Sequence, residues 1–333
     1  MDRRIACLLG LGIAVTLGLA PGDALAQDKK KKDANLTWTD PEKARAEDPD
    51  FSLQGEYGSE KPGADWGLQV VALGDGQFDA YLLEAGLPGL GWDRSKARTR
   101  LSGTAKALAS EDGKIKGSLA DGVASLEVDG TQVELPRIER KSPTLGAEPP
   151  EGAIVLFDGS SADEWKNGKV EDGLLPNSNI TTKRTFGSYV LHLEFRTPYK
   201  PFARGQGRGN SGVYHQGRFE TQVLDAFGLE GKMNETGGIY SIAAPRLNAC
   251  LPPLTWQTYD VDFTAATFDA DGKVTKPARM TVKLNGIVIH EDQELPKTTT
   301  ASPLKEITPE PGPIFIQHHG NPVYYRNIWI VEK

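Results

Sequence analysis

The sequence predicts an all-β protein: an antiparallel two-sheet sandwich of the jelly-roll type, preceded by a small β-meander or barrel. Three observations predict it. First, in Val190–Arg196 the residues Leu191, Leu193 and Phe195 alternate with His192, Glu194 and Arg196, the period of two expected of a strand with one buried face. Second, short apolar runs are separated by Asp-Gly and Asn-Gly pairs, which supply the positive φ angles of tight hairpin turns. Third, the chain carries no sustained run of helical period and no P-loop, which argues against the nucleotide-binding α/β folds.

The elements follow in order. Arg3 and Arg4 precede an apolar run from Ile5 to Ala20, and Ala24-Leu25-Ala26 follows. A positive start, a short apolar core and an A-x-A site are the parts of a secretory signal peptide. Cleavage is expected after Ala26, with the protein periplasmic or extracellular. The run is shorter than the roughly 20 apolar residues of a membrane span, and no other stretch is long enough to cross a bilayer. Residues 27–50, with a lysine run at Lys29–Lys32 and many carboxylates, read as a charged flexible tether. Pro41–Ala46 is expected to form a helical turn or two.

Residues 51–142 read as a small all-β domain of six strands, with Asp75-Gly76, Asp112-Gly113, Asp121-Gly122 and Asp129-Gly130 at its turns. Residues 143–152 hold Pro143, Pro149 and Pro150 and read as a linker. The remainder, residues 153–333, is the sandwich. Its strands include Arg279–Leu284 and Ile287–His290, joined at Asn285-Gly286, then Ile314–Gln317 and Tyr325–Val331.

The chain has 38 Lys+Arg against 45 Asp+Glu, a net charge of −7. That acidic balance argues against a nucleic-acid binder, which needs a basic footprint for phosphates. After cleavage a single thiol remains, Cys250, which has no partner for an internal disulfide and reads as buried and structural. The sequence requires no cofactor. Clustered polar side chains leave a bound calcium ion open, although no D-x-D-x-D loop is present.

Two segments carry candidate chemistry. In Phe219–Asp225, Glu220 and Gln222 share a face, and a β-bulge would bring Asp225 onto it as well. Glu220-x-Gln222-x-x-Asp225 has the outline of the paired-carboxylate signature of retaining glycosidases, with an amide in the middle position and the shorter Asp in the last. In the C-terminal run, Gln317 and His319 share a parity and Arg326 returns on the next strand, a grouping suited to binding an oxyanion. Asn210 is a candidate substrate ligand, and Tyr240 and Trp256 are candidates for stacking on a sugar ring.

Leu156-Phe157-Asp158-Gly159 with Trp165, Gly209-Asn210-Ser211-Gly212-Val213-Tyr214, Phe219–Asp225, Gly237-Gly238-Ile239-Tyr240, Trp256–Asp260 and Gln317–Pro322 with Arg326–Trp329 together resemble the 3-keto-disaccharide hydrolase domain family over about residues 153–333. The resemblance implies a concanavalin A-like sandwich acting on 3-keto-glycosides outside the cytoplasm. His318 stands where the family pattern leads one to expect an acidic residue. On such a substrate, a base takes the proton at C2, the glycosidic oxygen leaves and water adds back. The catalytic candidates are then Glu220 or Asp225 as base, with His319 or Arg326 steadying the oxyanion. Asn210, Gln222, Tyr240, Trp256 and Gln317 would bind the sugar. A conventional retaining glycosidase using Glu220 and Asp225, or a non-catalytic carbohydrate-binding module, are the alternatives. The enzymatic readings require the site groups to meet in one pocket.

Overall fold

The structure is a computed structural model and describes residues 35–333; the expected signal peptide lies outside the described residues. Eight antiparallel strands close a barrel: β1 (Gly55–Tyr57), β2 (Trp66–Gly74), β3 (Gln77–Glu84), β4 (Arg98–Thr104), β5 (Ala107–Ser110), β6 (Ile115–Ala120), β7 (Val123–Val128) and β8 (Thr131–Ile138). Closure removes the exposed edges that a six-stranded meander would leave. Two strands were not expected. Ala105-Lys106 turns the chain inside one apolar run and splits it into β4 and β5. The three-residue β1 pairs with both β2 and β8 and so closes the ring. The barrel interior is filled by side chains such as Leu68, Val70, Phe78, Leu101 and Leu126.

Residues 35–50 correct the flexible-tether expectation. Helix α1 (Pro41–Glu47) is capped by Asp40, whose carboxylate accepts from the Lys43 amide at 2.8 Å. Helix α2 (Pro49–Leu53) follows directly, capped by Asp48. Ala44 is fully buried, and Trp38 lies in the barrel's apolar cluster. Two N-terminal prolines, two capping aspartates and two apolar footholds outweigh the charge of the segment.

The sandwich strands are β9 (Ile154–Phe157), β10 (Trp165–Lys166), β11 (Leu175–Pro176), β12 (Ile180–Thr182), β13 (Tyr189–Arg196), β14 (Ser211–His215), β15 (Phe219–Val223), β16 (Gln257–Thr264), a small hairpin of β17 (Thr267–Phe268) and β18 (Val274–Lys276), β19 (Ala278–Leu284), β20 (Ile287–Leu295), β21 (Phe315–His318) and β22 (Tyr324–Glu332). One sheet has the order β10-β12-β21-β14-β15. The other has the order β11-β22-β13-β16-β19-β20, with β9 also paired to β22. Asn285 and Gly286 take φ of 52° and 77° in the β19–β20 turn, as that pair predicts. Between the sheets lies one apolar core containing Leu191, Leu193, Phe195, Val213, Phe219 and Ile316. Cys250 is buried in it, and burial pushes its thiol pKa up to about 12, so it is no nucleophile at neutral pH. Among the described residues no helix is long and apolar enough to cross a membrane.

The expected linker is held down. Thr144 Oγ1 donates to Asp260 at 2.7 Å, and Glu194 accepts from the Gly146 amide at 2.5 Å. Asn327 and Trp329 both donate to the Ala147 carbonyl. Its prolines therefore shape a strap across the outer face of the β13–β22 sheet.

Candidate active site

Strand parity decides which side chains of the β14–β15 hairpin leave the core. Val213, Phe219 and Val223 point inward. Gly212, Tyr214, Glu220 and Gln222 therefore face outward, with Phe315 and Gln317 beside them on β21. The register sets two rows across the sheet. Tyr214 stands opposite Glu220 and Phe315, and Gly212 opposite Gln222 and Gln317. A Cβ at Gly212 would collide with the Glu220 carboxylate, so glycine there opens the space into which that carboxylate folds.

The connection that follows β15 roofs the outer face, its Asn234 carbonyl accepting from Gln206 Nε2 at 2.7 Å and Gln222 Nε2 at 3.5 Å. β15 is an edge strand, and Gly237–Tyr240 runs alongside it. The Gln222 amide donates to the Gly238 carbonyl at 2.9 Å, Gly237 to Gln222 at 3.1 Å and Tyr240 to Glu220 at 3.1 Å. From the core side the Tyr259 hydroxyl accepts from the Gly237 amide at 2.7 Å and donates to the Gln222 carbonyl at 2.6 Å. Glu220 is consequently 2% exposed. Burial pushes its carboxyl up to about 7. The nearby Tyr214 hydroxyl opposes that shift without being aligned for a hydrogen bond.

The second row is built of amides. Gln206 Oε1 accepts from Asn210 at 3.0 Å and from Gln222 at 3.1 Å, while Gln206 Nε2 donates to the Asn234 carbonyl at 2.7 Å. The Asn210 oxygen and the Tyr214 hydroxyl are buried without a hydrogen-bond partner. Buried orphans of this kind are costly in a folded protein and call for an account. The Glu220 carboxylate, a phenol and an amide oxygen thus gather along β14 and β15 with unused hydrogen-bonding capacity. Tyr214, Gln206 and Gly212 belong to this group but were not singled out in the sequence. Tyr214 was within reach of hairpin counting, because a loop at Gln216–Arg218 sets it across from Glu220.

The structure does not unite all the expected residues. Asp225 is a correction. β15 ends at Val223 with no bulge, and Asp225 turns inward to a buried ion pair. Its Oδ2 accepts from Arg208 Nε at 3.0 Å and Nη2 at 2.5 Å, and its Oδ1 from the Phe227 amide at 3.3 Å. With both oxygens engaged it offers no second free carboxylate. Arg326 is another correction: it lies on the outer face of the opposite sheet, its Nε 2.6 Å from Glu194 and its guanidinium 4.1 Å over the Trp256 ring. Arg196 also lies against that ring, at 4.9 Å. Trp256 is therefore neither near Glu220 nor a bare stacking platform. Arg326 and Glu194 instead line an open cleft of about 490 Å³ under the strap. Gln317 stays in the Gly212 row, with its carbonyl accepting from Ser211 at 2.6 Å. His319 is exposed just beyond the end of β21. Tyr240 is half-buried in the roof. Among the described residues no group of three His, Cys, Asp or Glu side chains is placed to hold a metal ion.

A two-sheet sandwich presenting a buried carboxyl among amide side chains belongs with the glycosyl hydrolase-like, carbohydrate-acting domains. Within that class, residues 152–331 match the model of the 3-keto-alpha-glucoside-1,2-lyase-like domain, and the chain belongs to this family. A crystal structure of a candidate glycosyl hydrolase from Parabacteroides distasonis is similar, with 34% identity and a TM-score of 0.51 over 55% of this chain and 85% of that one. A second candidate glycosyl hydrolase of that organism matches at 23% identity and a TM-score of 0.40, over 55% of this chain and 94% of the other. No curated protein matches.

Proposed function

We propose that the protein cleaves 3-keto-glycosides and that Glu220 is the base that removes the C2 proton. The observation that carries this reading is a single buried carboxyl, held near neutrality, with no second free carboxylate beside it. A ketone at C3 acidifies the C2–H bond. Glu220 takes the proton, and the C–H electron pair forms the C2=C3 enediolate. As the C3 carbonyl re-forms, the pair moves to C1=C2 and the C1–O bond breaks, its electrons leaving with the glycosidic oxygen as that oxygen gains a proton. Water then adds at C1 and C2 is reprotonated, so the sum is hydrolysis. A base with a pKa near the working pH suits this step, being about half ionised yet still strong.

Asn210, Gln222 and Gln317 bind hydroxyls in this scheme. Tyr240 packs at the sugar's edge, and His319 at the rim meets the developing oxyanion. A retaining glycosidase would need Asp225 free and close to Glu220, and its ion pair with Arg208 disfavours that alternative. A binding module would present an open aromatic surface, whereas Trp256 is covered by two guanidiniums. The secreted location rests on the N-terminal sequence pattern alone.

The test is turnover of a 3-keto disaccharide in heavy water, followed by NMR. Deuterium is expected at C2 of the product, the unoxidised disaccharide should be a far poorer substrate, and Glu220→Gln should lose about a hundred- to ten-thousandfold in kcat. Equal cleavage of the plain disaccharide, or full activity in Glu220→Gln, would overturn the reading.

A further inference from the structure

The roof over Glu220 belongs to the long connection between β15 and β16, and the barrel holds that connection at several points. Arg94, between β3 and β4, donates from Nε to the Arg246 carbonyl at 2.8 Å. Its Nη2 donates to the carbonyls of Gly231 at 2.6 Å and Pro245 at 3.1 Å. One guanidinium thus ties the outgoing limb of the connection to its returning limb. Arg98 on β4 donates to the Gly228 carbonyl at 2.5 Å while lying 3.8 Å over the Tyr81 ring. Gly228 sits against the barrel wall so closely that a Cβ there would collide with Val71. Between these pins the Glu235 carboxylate accepts from the amides of Gly231 at 2.6 Å and Lys232 at 3.0 Å, and Gly237–Tyr240 lies along β15.

We propose that Arg94 is a positioning residue for the active site: by clasping both limbs of the β15–β16 connection, it makes the barrel the support that keeps the roof closed over Glu220. The barrel is then a working part of the catalytic domain, and its Arg94 acts through backbone carbonyls without touching substrate. The proposal rests on the assignment of Glu220 as the base. The phenol on the same face as Glu220 is Tyr214 from β14, Tyr259 and Tyr325 lie near it from the core side, and Tyr240 meets it through its backbone amide. The exclusion of water by the roof therefore dominates the carboxyl's environment, and loosening the roof has a defined readout.

The experiment compares the full-length protein with Arg94→Ala and Arg94→Lys. Three measurements are made: infrared titration of the Glu220 carboxyl, assigned by its loss in Glu220→Gln; amide hydrogen exchange; and kcat and KM. In Arg94→Ala, exchange at Gly237 and Tyr240 is expected to quicken about tenfold while the barrel amide of Leu82 is unchanged. The carboxyl midpoint should fall from about 7 toward the ordinary carboxylate range as water enters. kcat should drop more than KM rises, and Arg94→Lys should restore part of each effect. A folded Arg94→Ala with unchanged exchange and an unchanged midpoint overturns the proposal. Should Arg94→Ala fail to fold, Arg94→Lys alone decides by the same two measurements. If the wild-type protein fails to turn over keto sugars, the assignment of function falls, while exchange and titration still judge the role of Arg94.

Discussion

Glu220 couples the site to stability. Its folded-state pKa lies near 7 against an ordinary 4.5, so between those values the folded protein binds the proton more tightly than the unfolded chain does. The associated stability is fully present below about pH 4.5 and is lost as pH rises through about 7, a change on the order of 3 kcal/mol. Glu220→Gln removes this loss. The variant should therefore gain in denaturant midpoint relative to the wild type as pH is raised from 5 to 8, and parallel curves over that range would contradict the burial argument. Activity should run the other way, rising through about pH 7 as the base ionises. Part of this centre was legible in the sequence, because alternation alone puts Glu220 and Gln222 on one face and Gln317 follows the same parity on β21. Asp225 was misplaced by the β-bulge expected to carry it onto that face: β15 stops at Val223 and Asp225 turns to the buried side, where plain alternation puts it.

At the level of strands, parity tells which face of its own sheet a side chain occupies but not to which sheet the strand belongs. Arg326 and Trp256 were grouped with Glu220 for that reason. β22 and β16 flank β13 in the other sheet, and their polar side chains meet the strap. The centre there is His192, with Nδ1 2.6 Å from Asp260 Oδ1 and the imidazole stacked 5.1 Å from the Trp329 ring. Burial alone would make this histidine less basic, but bonding to Asp260 and Glu194 outweighs it and raises its pKa. Burial would likewise raise Glu194, yet donors from His192, Asn327, the Gly146 amide and Arg326 together pull it down to about 2. Its contribution to stability is thus present above about pH 4.5 and fades as pH falls toward about 2. Glu194→Gln should cost about 2–4 kcal/mol at pH 7 by stranding buried donors. Chemical denaturation of both proteins should show that deficit shrinking on acidification below about 4.5.

The barrel and the sandwich share their interiors. Tyr199 comes from the sandwich portion of the chain yet is fully buried in the barrel's apolar cluster, with its hydroxyl donating to Asp48 at 3.0 Å. Its backbone pairs with Trp38 in both directions. Phe202 packs against Gly74 of β2, where a Cβ would overlap its ring. Such shared burial predicts one cooperative unfolding transition for barrel and sandwich together. Calorimetry should show a single peak whose van't Hoff and calorimetric enthalpies agree. Two resolved peaks would mean that the domains melt separately. Phe202→Ala, which removes the ring from Gly74, should lower the stability of the whole by about 2–4 kcal/mol. The proline-rich stretch at residues 143–152, from which a boundary was expected, was legible in the sequence. The interlock was not, because one aromatic residue and one glycine more than a hundred positions apart leave no periodic trace.

Phe202 and Gly74 also limit what can be done by recombination. A barrel grafted from another protein with any larger residue at the position of Gly74 meets the ring as a wedge, and a sandwich expressed alone leaves Tyr199 and Phe202 as sticky aromatic stubs. The smallest heritable unit that can be moved intact between genes is therefore the pair, and a chimera made at the proline-rich boundary should precipitate unless both halves of the latch travel with it.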